Sequence, residues 1–166
     1  MNATQIANSN DFMKRCLLSV RPEQTNFVAV PMFTAFPSAT EERAYKTILG
    51  VPLVRKRLRV APDGFNGPNR EEWMDQLSDT KVGRDHHIFL DPDNGIRMRN
   101  RMPGRETSSQ FVEIVEIVRL AKRPYIGMVL CIDQSLIDGA EEVDREEKLH
   151  FLKYERNVEA VYLGKR

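Results

Sequence analysis

The stretch Ile88-Phe89-Leu90-Asp91-Pro92-Asp93-Asn94-Gly95 decides the fold, because an apolar run ends there at two acids separated by one proline. In open α/β sheets, ligands bind in the crevice beyond the carboxyl ends of the strands, and a Pro-Asp-Asn-Gly turn is stiff enough to hold side chains there. The same residue types also suit a tight turn for backbone reasons alone. The stretch therefore predicts a strand that is followed either by a functional site or by a purely structural turn.

A second apolar run also ends at an acid. It extends from Tyr125 to Ile132 and stops at Asp133. Because the C-terminal ends of parallel strands meet at one edge of a sheet, the polar residues after the two runs are expected to lie close together. These residues are Asp91, Asp93, Asn94, Asp133, Gln134 and Ser135.

Strand-like and helix-like periodicity alternate along the chain, which is typical of βαβ units. We expect a single three-layer, Rossmann-like α/β domain over residues 1–166, with a mostly parallel sheet of about five strands. The predicted strands are Phe27 to Phe33, Leu53 to Val60, His87 to Asp91, Tyr125 to Asp133 and Val158 to Leu163. The predicted helices are Asp11 to Val20, Ser38 to Gly50, one that begins at Asn69 and carries Trp73, a largely buried one from Phe111 to Leu120, and Ala140 to Tyr154.

Composition excludes several classes of protein. The 25 basic and 24 acidic residues nearly cancel, so no global field draws the chain to nucleic acid or to a membrane. Two cysteines, Cys16 and Cys131, are too few for a disulfide framework or a metal cluster, and we expect both to be reduced. No apolar run approaches the roughly 20 residues that span a bilayer, and the first residues contain no signal-peptide apolar core. The expected location is cytoplasmic.

The acids at the strand ends suit a hard divalent cation. Mg²⁺ binds oxygen ligands, usually one or two carboxylates together with water and substrate phosphate, so Asp91 and Asp93 are the predicted metal ligands. The arginines that follow, of which Arg97 and Arg99 lie nearest, carry guanidinium groups that match phosphate oxygens. The alternative is that these arginines form a solvated loop that neutralises the acids.

Other candidate groups carry less weight. His86 and His87 lie at the start of the strand that ends at Asp91, about 13 Å away in extended chain, so we expect them at the opposite edge. His150 has no histidine or cysteine at ligand spacing. The basic run 55–59 fits a protected edge strand as well as a phosphate-backbone contact. The chain contains no Walker loop, no Gly-x-Ser-x-Gly and no Gly-x-Gly-x-x-Gly motif.

Three resemblances start from these residues. The segments 69–73 (Asn-Arg-Glu-Glu-Trp) and 88–96 resemble a poorly characterised group of microbial and viral proteins, over about half of the chain, and this likeness implies no activity. The exit of the strand at Asp91 also resembles the Asp-Pro turn of Rossmann-like methyltransferases, although residues 30–34 lack the glycine-rich cofactor turn of that family. Asp91-Pro92-Asp93 is similar to the D-x-D motif of haloacid-dehalogenase-type phosphatases, which lies near the N-terminus in that family.

The sequence thus favours a phosphate-directed, divalent-metal-dependent enzyme, such as a hydrolase or nuclease, that acts on a nucleotide or nucleic acid. In this hypothesis Asp91 and Asp93 bind Mg²⁺, Asp133 completes the shell or orients water, and Arg97 and Arg99 bind phosphate. Asn94, Gln134 and Ser135 are expected to contact the substrate. The first alternative is a non-catalytic module that sequesters a nucleotide or a partner protein. The second is an atypical methyltransferase-like protein.

Overall fold

The computed structural model describes nine parts of the chain: residues 26–31, 38–49, 70, 74–75, 86–92, 94–98, 111–124, 126–134 and 141–162. Strands and helices alternate within them, so the protein is a mixed α/β structure with parallel sheets. The elements are β1 (Asn26–Pro31), α1 (Ala39–Leu49), β2 (His86–Asp91), β3 (Gly95–Arg97), β4 (Phe111–Glu113), α2 (Ile114–Ala121), β5 (Ile126–Cys131), α3 (Glu141–His150) and a π-helical turn, Phe151–Glu155.

Strand β2 is the centre of a three-stranded parallel sheet with the order β1-β2-β5. Pro31 lies opposite Asp91, and Leu90 lies opposite Cys131, so the three strands end at the same edge. Residues 88–91 of β2 are all buried, as expected for a central parallel strand that is covered on both faces. The prediction of a central strand that ends at Asp91 is confirmed.

The two faces of β2 pack against different parts of the chain. Ile88 and Leu90 belong to a hydrophobic core that includes Ile114 and Leu120 of α2. Asp91 points to the other face, because side chains alternate along a strand, and Tyr45 of α1 contacts it there. The four consecutive buried residues of β2 thus provide both an apolar core and a buried acid.

A second, two-stranded parallel sheet pairs β3 with β4. We expected a helix from Phe111 to Leu120, but residues 111–113 form β4 and the helix begins at Ile114. Val112 pairs with Ile96, and Glu113 is extended (φ −73°, ψ 136°), so strand pairing overrides the helical periodicity over these three residues. The single sheet of about five strands is therefore not confirmed.

The last predicted strand is also wrong within the described residues. Residues 158–162 are mostly apolar, as in a strand, yet they form no strand there. Asn157 has a positive φ of 52°, which turns the chain, and the Val158 amide donates to the Leu152 carbonyl oxygen at 2.8 Å. The chain is therefore directed back along its own helical turn instead of pairing with the sheet.

The remaining elements agree with the sequence where they are described. The helices α1 and α3 lie within the predicted ranges, and β1 matches the first predicted strand up to Pro31. The predicted elements at 11–20 and 53–60, and Trp73, lie outside the described residues. None of the described helices is long and apolar enough to cross a membrane.

Candidate functional site

We call the C-terminal edge of the three-stranded sheet, with the polar side chains that meet there, the rim. Its central residue is Asp91, which ends β2 and is fully buried. The Tyr45 hydroxyl donates a hydrogen bond to Asp91 Oδ2 at 2.6 Å, and Tyr45 is itself only 1% exposed. A short O–H···O⁻ bond of this kind is among the stronger neutral-to-charged contacts in proteins. Helix α1, which follows β1, thus fixes the carboxylate at the end of the central strand.

Asp133, two residues after β5, is the second acid of the rim and accepts hydrogen bonds from three of the described residues. Its Oδ1 accepts from the Ile96 amide at 2.9 Å. Its Oδ2 accepts from Lys148 Nζ at 2.9 Å and from the Tyr162 hydroxyl at 2.5 Å. These donors come from β3, from α3 and from the segment after the π-helical turn. Asp133 therefore joins three parts of the chain to the end of β5.

Lys148 is a buried cation between two acids. Its ammonium lies 2.9 Å from Asp133 and 2.7 Å from Asp144, and the three side chains are 3–4% exposed. Burying charge is costly unless it is paired, and this arrangement pairs one ammonium with two carboxylates. The described rim, with Asp91 included, thus contains three buried carboxylates and one buried ammonium.

Cys131 is the last residue of β5 and lies opposite Leu90 of β2. Burial is the main cause that raises the pKa of its thiol, and the charges of Asp133 and Asp91 raise it further, while Lys148 acts in the opposite direction. Both carboxylates therefore raise the pKa of the same thiol. Burial and the hydrogen bond to Asp133 likewise raise the pKa of Tyr162.

The structure describes only some of the other residues that the sequence predicts to contact substrate. Asn94 is half-buried and Gln134 is exposed. Asp93, Arg99 and Ser135 lie outside the described residues. His87 lies at the start of β2, at the edge of the sheet opposite the rim, as the sequence predicts. The expected substrate contacts of these residues remain predictions.

Arg97, a predicted phosphate ligand, pairs with a glutamate. Its guanidinium donates to Glu113 Oε1 through Nε at 2.9 Å and through Nη2, and it lies 5.7 Å from the centroid of the Phe111 ring. The two charged side chains are 18% and 20% exposed. Arg97 therefore connects β3 to β4, and a phosphate at Arg97 would compete with Glu113 for the same guanidinium.

A second arginine supports the same small sheet. Arg70 donates to both carboxylate oxygens of Glu116 at 2.7 Å, and it also donates to the Phe111 carbonyl oxygen at 2.6 Å. Glu116 also accepts from the Glu113 amide at 2.7 Å. Bidentate geometry is the strongest form of an arginine–carboxylate pair. Each of these two arginines is thus matched by one glutamate.

Sequence reasoning missed four residues of the rim. Tyr45, Asp144, Lys148 and Tyr162 all lie far from Asp91 and Asp133 in sequence. The i,i+4 spacing of Asp144 and Lys148 is visible in the sequence, but such pairs are usually solvent-exposed and gave no indication of burial. Tyr45 lies on an amphipathic helix, where an aromatic residue is normally part of an apolar core.

Among the described rim residues, the side-chain atoms that could bind a metal are carboxylate and hydroxyl oxygens, apart from the sulfur of Cys131. Among the described residues, no group of three or more histidine, cysteine, aspartate or glutamate side chains is arranged to hold a metal ion. Mg²⁺ does not require such a group, because one or two carboxylates with water and phosphate are its usual ligands. Asp91 provides one carboxylate, and Asp93 follows it by two positions.

Searches of protein-family models, curated proteins and solved structures find no match to this chain. The candidate site therefore has to be interpreted from its own geometry.

Proposed function

We propose that the protein is a phosphate-directed, divalent-metal-dependent enzyme that acts on a nucleotide or nucleic acid at the rim. The single observation that carries the proposal is Asp91, a fully buried carboxylate at the C-terminal end of the central strand. Ligands of open α/β sheets bind at this end of the strands. Burying a carboxylate is costly for folding, and such costs concentrate at functional sites.

In this proposal the metal is Mg²⁺, and its protein ligands are Asp91 and Asp93. The Tyr45 hydroxyl occupies one side of Asp91 Oδ2 and fixes the orientation of the carboxylate. When bound, Mg²⁺ would neutralise phosphate charge and lower the pKa of a bound water. The carboxylates of Asp91 and Asp133, which follow neighbouring strands at the described rim, would favour a cation there.

Arg97 and Arg99 are the proposed phosphate contacts, with Asn94, Gln134 and Ser135 as further substrate contacts. For Arg97 this role requires phosphate to compete with Glu113, its partner in the absence of ligand. Asp133 is proposed to orient water or to support the metal shell. Its three protein donors fix its position, which suits a residue that acts through a bound water.

The proposal also includes a five-stranded Rossmann-like sheet and a cytoplasmic location. The parallel order β1-β2-β5, with a central acidic strand end, is compatible with a larger Rossmann-like sheet of about five strands. A cytoplasmic location is proposed because reduced cysteines are typical of that compartment, and Cys131 is a free thiol.

A non-catalytic binding module is the second candidate, and one observation favours it. Asp133 and Arg97, two of the residues assigned to chemistry, already make charged contacts within the fold. A module that binds a nucleotide or a partner protein needs no water-activating residue, so such contacts would not interfere with its function. The two candidates differ in turnover, because only the enzyme consumes its ligand.

The test combines metal binding and turnover. Mn²⁺ affinity is measured by electron paramagnetic resonance, and hydrolysis is measured with ATP and with a single-stranded oligonucleotide, each with and without Mg²⁺. We expect Mn²⁺ binding and Mg²⁺-dependent turnover in the wild type, and a loss of at least about tenfold in both for Asp91→Asn. Asp75→Asn is the matched control, because Asp75 is 54% exposed and pairs with Arg123 at 3.1 Å, outside the rim.

The outcomes separate the candidates. Nucleotide binding without turnover, and without dependence on metal, would favour the binding module. Unfolding of Asp91→Ala together with full function in Asp91→Asn would show that Asp91 has a structural role in the turn. Equal effects of Asp91→Asn and Asp75→Asn on Mn²⁺ affinity and turnover would mean that the functional site does not lie at the rim.

A further inference from the structure

The C-terminal segment 157–162 packs on the core although it forms neither a helix nor a strand. Its side chains alternate: Val158 and Ala160 pack against the hydrophobic core, whereas Glu159 and Val161 are exposed. Val161 is 73% exposed, which is high for a large apolar side chain. The segment therefore lies on the core with one side and faces solvent with the other.

The backbone of this segment makes few hydrogen bonds within the described structure. The Val158 amide donates to the Leu152 carbonyl oxygen at 2.8 Å, and residues 157–162 make no other backbone–backbone hydrogen bond to a described residue. Asn157, where the segment begins, has a φ of 52°, a conformation that costs a residue with a Cβ some free energy. Segments with few backbone hydrogen bonds open at a lower free energy than strands in a ladder.

The end of the segment is held by the side chain of Tyr162. Its hydroxyl donates to Asp133 Oδ2 at 2.5 Å, and the same oxygen accepts from Lys148 Nζ at 2.9 Å. The Asp133 and Lys148 side chains are only 4% and 3% exposed. Tyr162 is also close enough to Cys131, the last residue of β5, for the charge of that thiolate to contribute to the raised pKa of Tyr162. Tyr162 is thus one of the groups that separate the end of β5 from water.

We propose that residues 157–162 are a latch, which opens separately from the rest of the fold and controls solvent access to the end of β5. Opening breaks the hydrogen bond of the Val158 amide and that of the Tyr162 hydroxyl, while Lys148 keeps Asp133 paired. The inference goes beyond the proposed function and does not depend on it, because opening requires no ligand.

The physical reason is the difference between this segment and the central strand. A hydrogen bond contributes only modestly to stability, since water replaces the partner when the bond breaks, and two such bonds close the latch within the described structure. Strand β2 is instead paired on both sides, and its residues 88–91 are buried. It opens only when the core is lost, so the two regions are expected to open in separate reactions.

The first test is native-state hydrogen exchange of the wild type, which needs no substitution. The exchange of the Val158 amide is compared with that of the Ile88 and Leu90 amides of β2, at urea concentrations below the unfolding transition. We expect Val158 to exchange at least about 100-fold faster, with a weak dependence on urea, because opening of the latch exposes little surface. If Val158 exchanges as slowly as β2 and with the same urea dependence, the segment opens only on global unfolding and the inference is wrong.

The second test is Tyr162→Phe, which removes one hydroxyl and keeps the ring. Tyr154→Phe is the matched control, because Tyr154 is 78% exposed and its ring contacts that of His150 at a centroid distance of 5.0 Å. For Tyr162→Phe we expect exchange of the Val158 amide to accelerate about tenfold, as for the loss of a hydrogen bond to a charged acceptor. Tyr154→Phe is expected to leave this rate unchanged.

Glu113→Gln is a second control, because it weakens an ion pair of the small sheet that lies outside the latch. It lowers global stability and is expected to accelerate exchange in β2, while exchange of Val158 through the latch stays as in the wild type. Acceleration of Val158 by Glu113→Gln to the same extent as β2 would show that the segment is part of the global unfolding unit.

Solvent access is measured by the rate at which iodoacetamide modifies Cys131, with Cys16 replaced by serine so that one thiol remains. In Tyr162→Phe we expect this rate to increase by a factor similar to that of Val158 exchange, since both report the open population. Unchanged modification of Cys131 in a variant whose Val158 exchange is faster would contradict the control of access. Unchanged rates for both probes would contradict the role of the Tyr162 hydroxyl in closing the latch.

Discussion

The rim and the small β3–β4 sheet both contain partly or fully buried charges, but they arrange them differently. In the small sheet each arginine has one glutamate, Arg70 with Glu116 and Arg97 with Glu113. At the rim, three carboxylates with buried side chains, those of Asp91, Asp133 and Asp144, occur among the described residues, and two of them contact the buried ammonium of Lys148. One-to-one ion pairs neutralise charge locally and connect neighbouring elements. The rim acids are instead held by hydroxyl, amide and ammonium donors from several elements.

This difference suggests separate roles for the two regions. The arginine–glutamate pairs account for how β3, β4 and α2 are held together, because their contacts all connect these elements or attach Arg70 to them. The rim contacts hold acids in place at an edge where ligands of parallel sheets bind. We therefore expect substitutions in the small sheet to act mainly on stability, and substitutions at the rim to act on both stability and ligand binding.

The largest effect is expected from Lys148→Met. The substitution leaves Asp133 and Asp144 buried without the ammonium that lies 2.9 and 2.7 Å from them. Removing one partner of a buried ion pair typically costs about 3–5 kcal/mol, so we expect a loss of stability in this range. The measurement is the free energy of unfolding from urea titration.

Lys153→Met is the control for that prediction, since Lys153 is exposed and lies on the π-helical turn that follows α3. It is expected to change stability by less than about 0.5 kcal/mol. Similar losses of unfolding free energy in the two variants would mean that Lys148 contributes through packing of its aliphatic chain and not through its charge. The contrast between the rim and the small sheet would then no longer hold.

Glu113→Gln tests the role of the Arg97–Glu113 pair in the small sheet. It weakens the partner of Arg97, and because both side chains are about one-fifth exposed, we expect a loss of about 1 kcal/mol. If Arg97 also binds phosphate, the same variant should bind ATP about threefold more tightly, because Glu113 no longer competes for the guanidinium. The measurement is ATP affinity by calorimetry.

Glu142→Gln, at an exposed position of α3, is the matched control for both quantities. Lower stability with unchanged ATP affinity would assign Arg97 to the fold alone. Arg97→Lys provides the converse experiment, since lysine keeps the charge but loses the bidentate geometry. Weaker ATP binding in Arg97→Lys is expected if the guanidinium contacts phosphate.

A smaller effect is expected from Cys131 at alkaline pH. The pKa of the Cys131 thiol is raised in the folded protein. The unfolded chain therefore releases this proton at a lower pH than the folded protein does, at about 8.5. This contribution to stability is therefore fully present below pH 8.5 and declines above it, with a slope of at most about 1.4 kcal/mol per pH unit. In Cys131→Ala the decline between pH 8 and 9.5 should be smaller. Equal slopes in the two proteins would contradict the raised pKa.

Much of the fold could be predicted from local pattern. The two apolar runs that end at acids correctly predicted β2 and β5. Residues 111–113 could not be assigned in this way, because their pairing with β3 depends on partners 16 positions away, and short apolar runs fit strand and helix equally well. The segment 158–162 is mostly apolar, as a strand would be, but the positive φ of Asn157 directs it elsewhere.

The candidate site was predictable only in part. Asp91 and Asp133 could be predicted as site residues, because the end of an apolar run is a local feature of the sequence. Tyr45, Lys148 and Tyr162 reach these acids across separations of 46, 15 and 29 residues, and local pattern contains no information on such contacts. The pairing of Arg97 with Glu113 was hidden for the same reason, since an arginine after an acidic turn suggests phosphate whether or not a glutamate is near.

The most direct test of the central claim locates the cation on the protein. In a protein labelled with ¹³C at the aspartate carboxyl carbons, Mn²⁺ is titrated and the paramagnetic broadening of each resonance is followed, with assignments from the Asp91→Asn and Asp75→Asn variants. The account predicts that the Asp91 resonance broadens at the lowest Mn²⁺ concentration, while that of the exposed Asp75 persists. Broadening of Asp75 before Asp91, or no broadening of Asp91 at saturating Mn²⁺, would contradict a cation site at the rim.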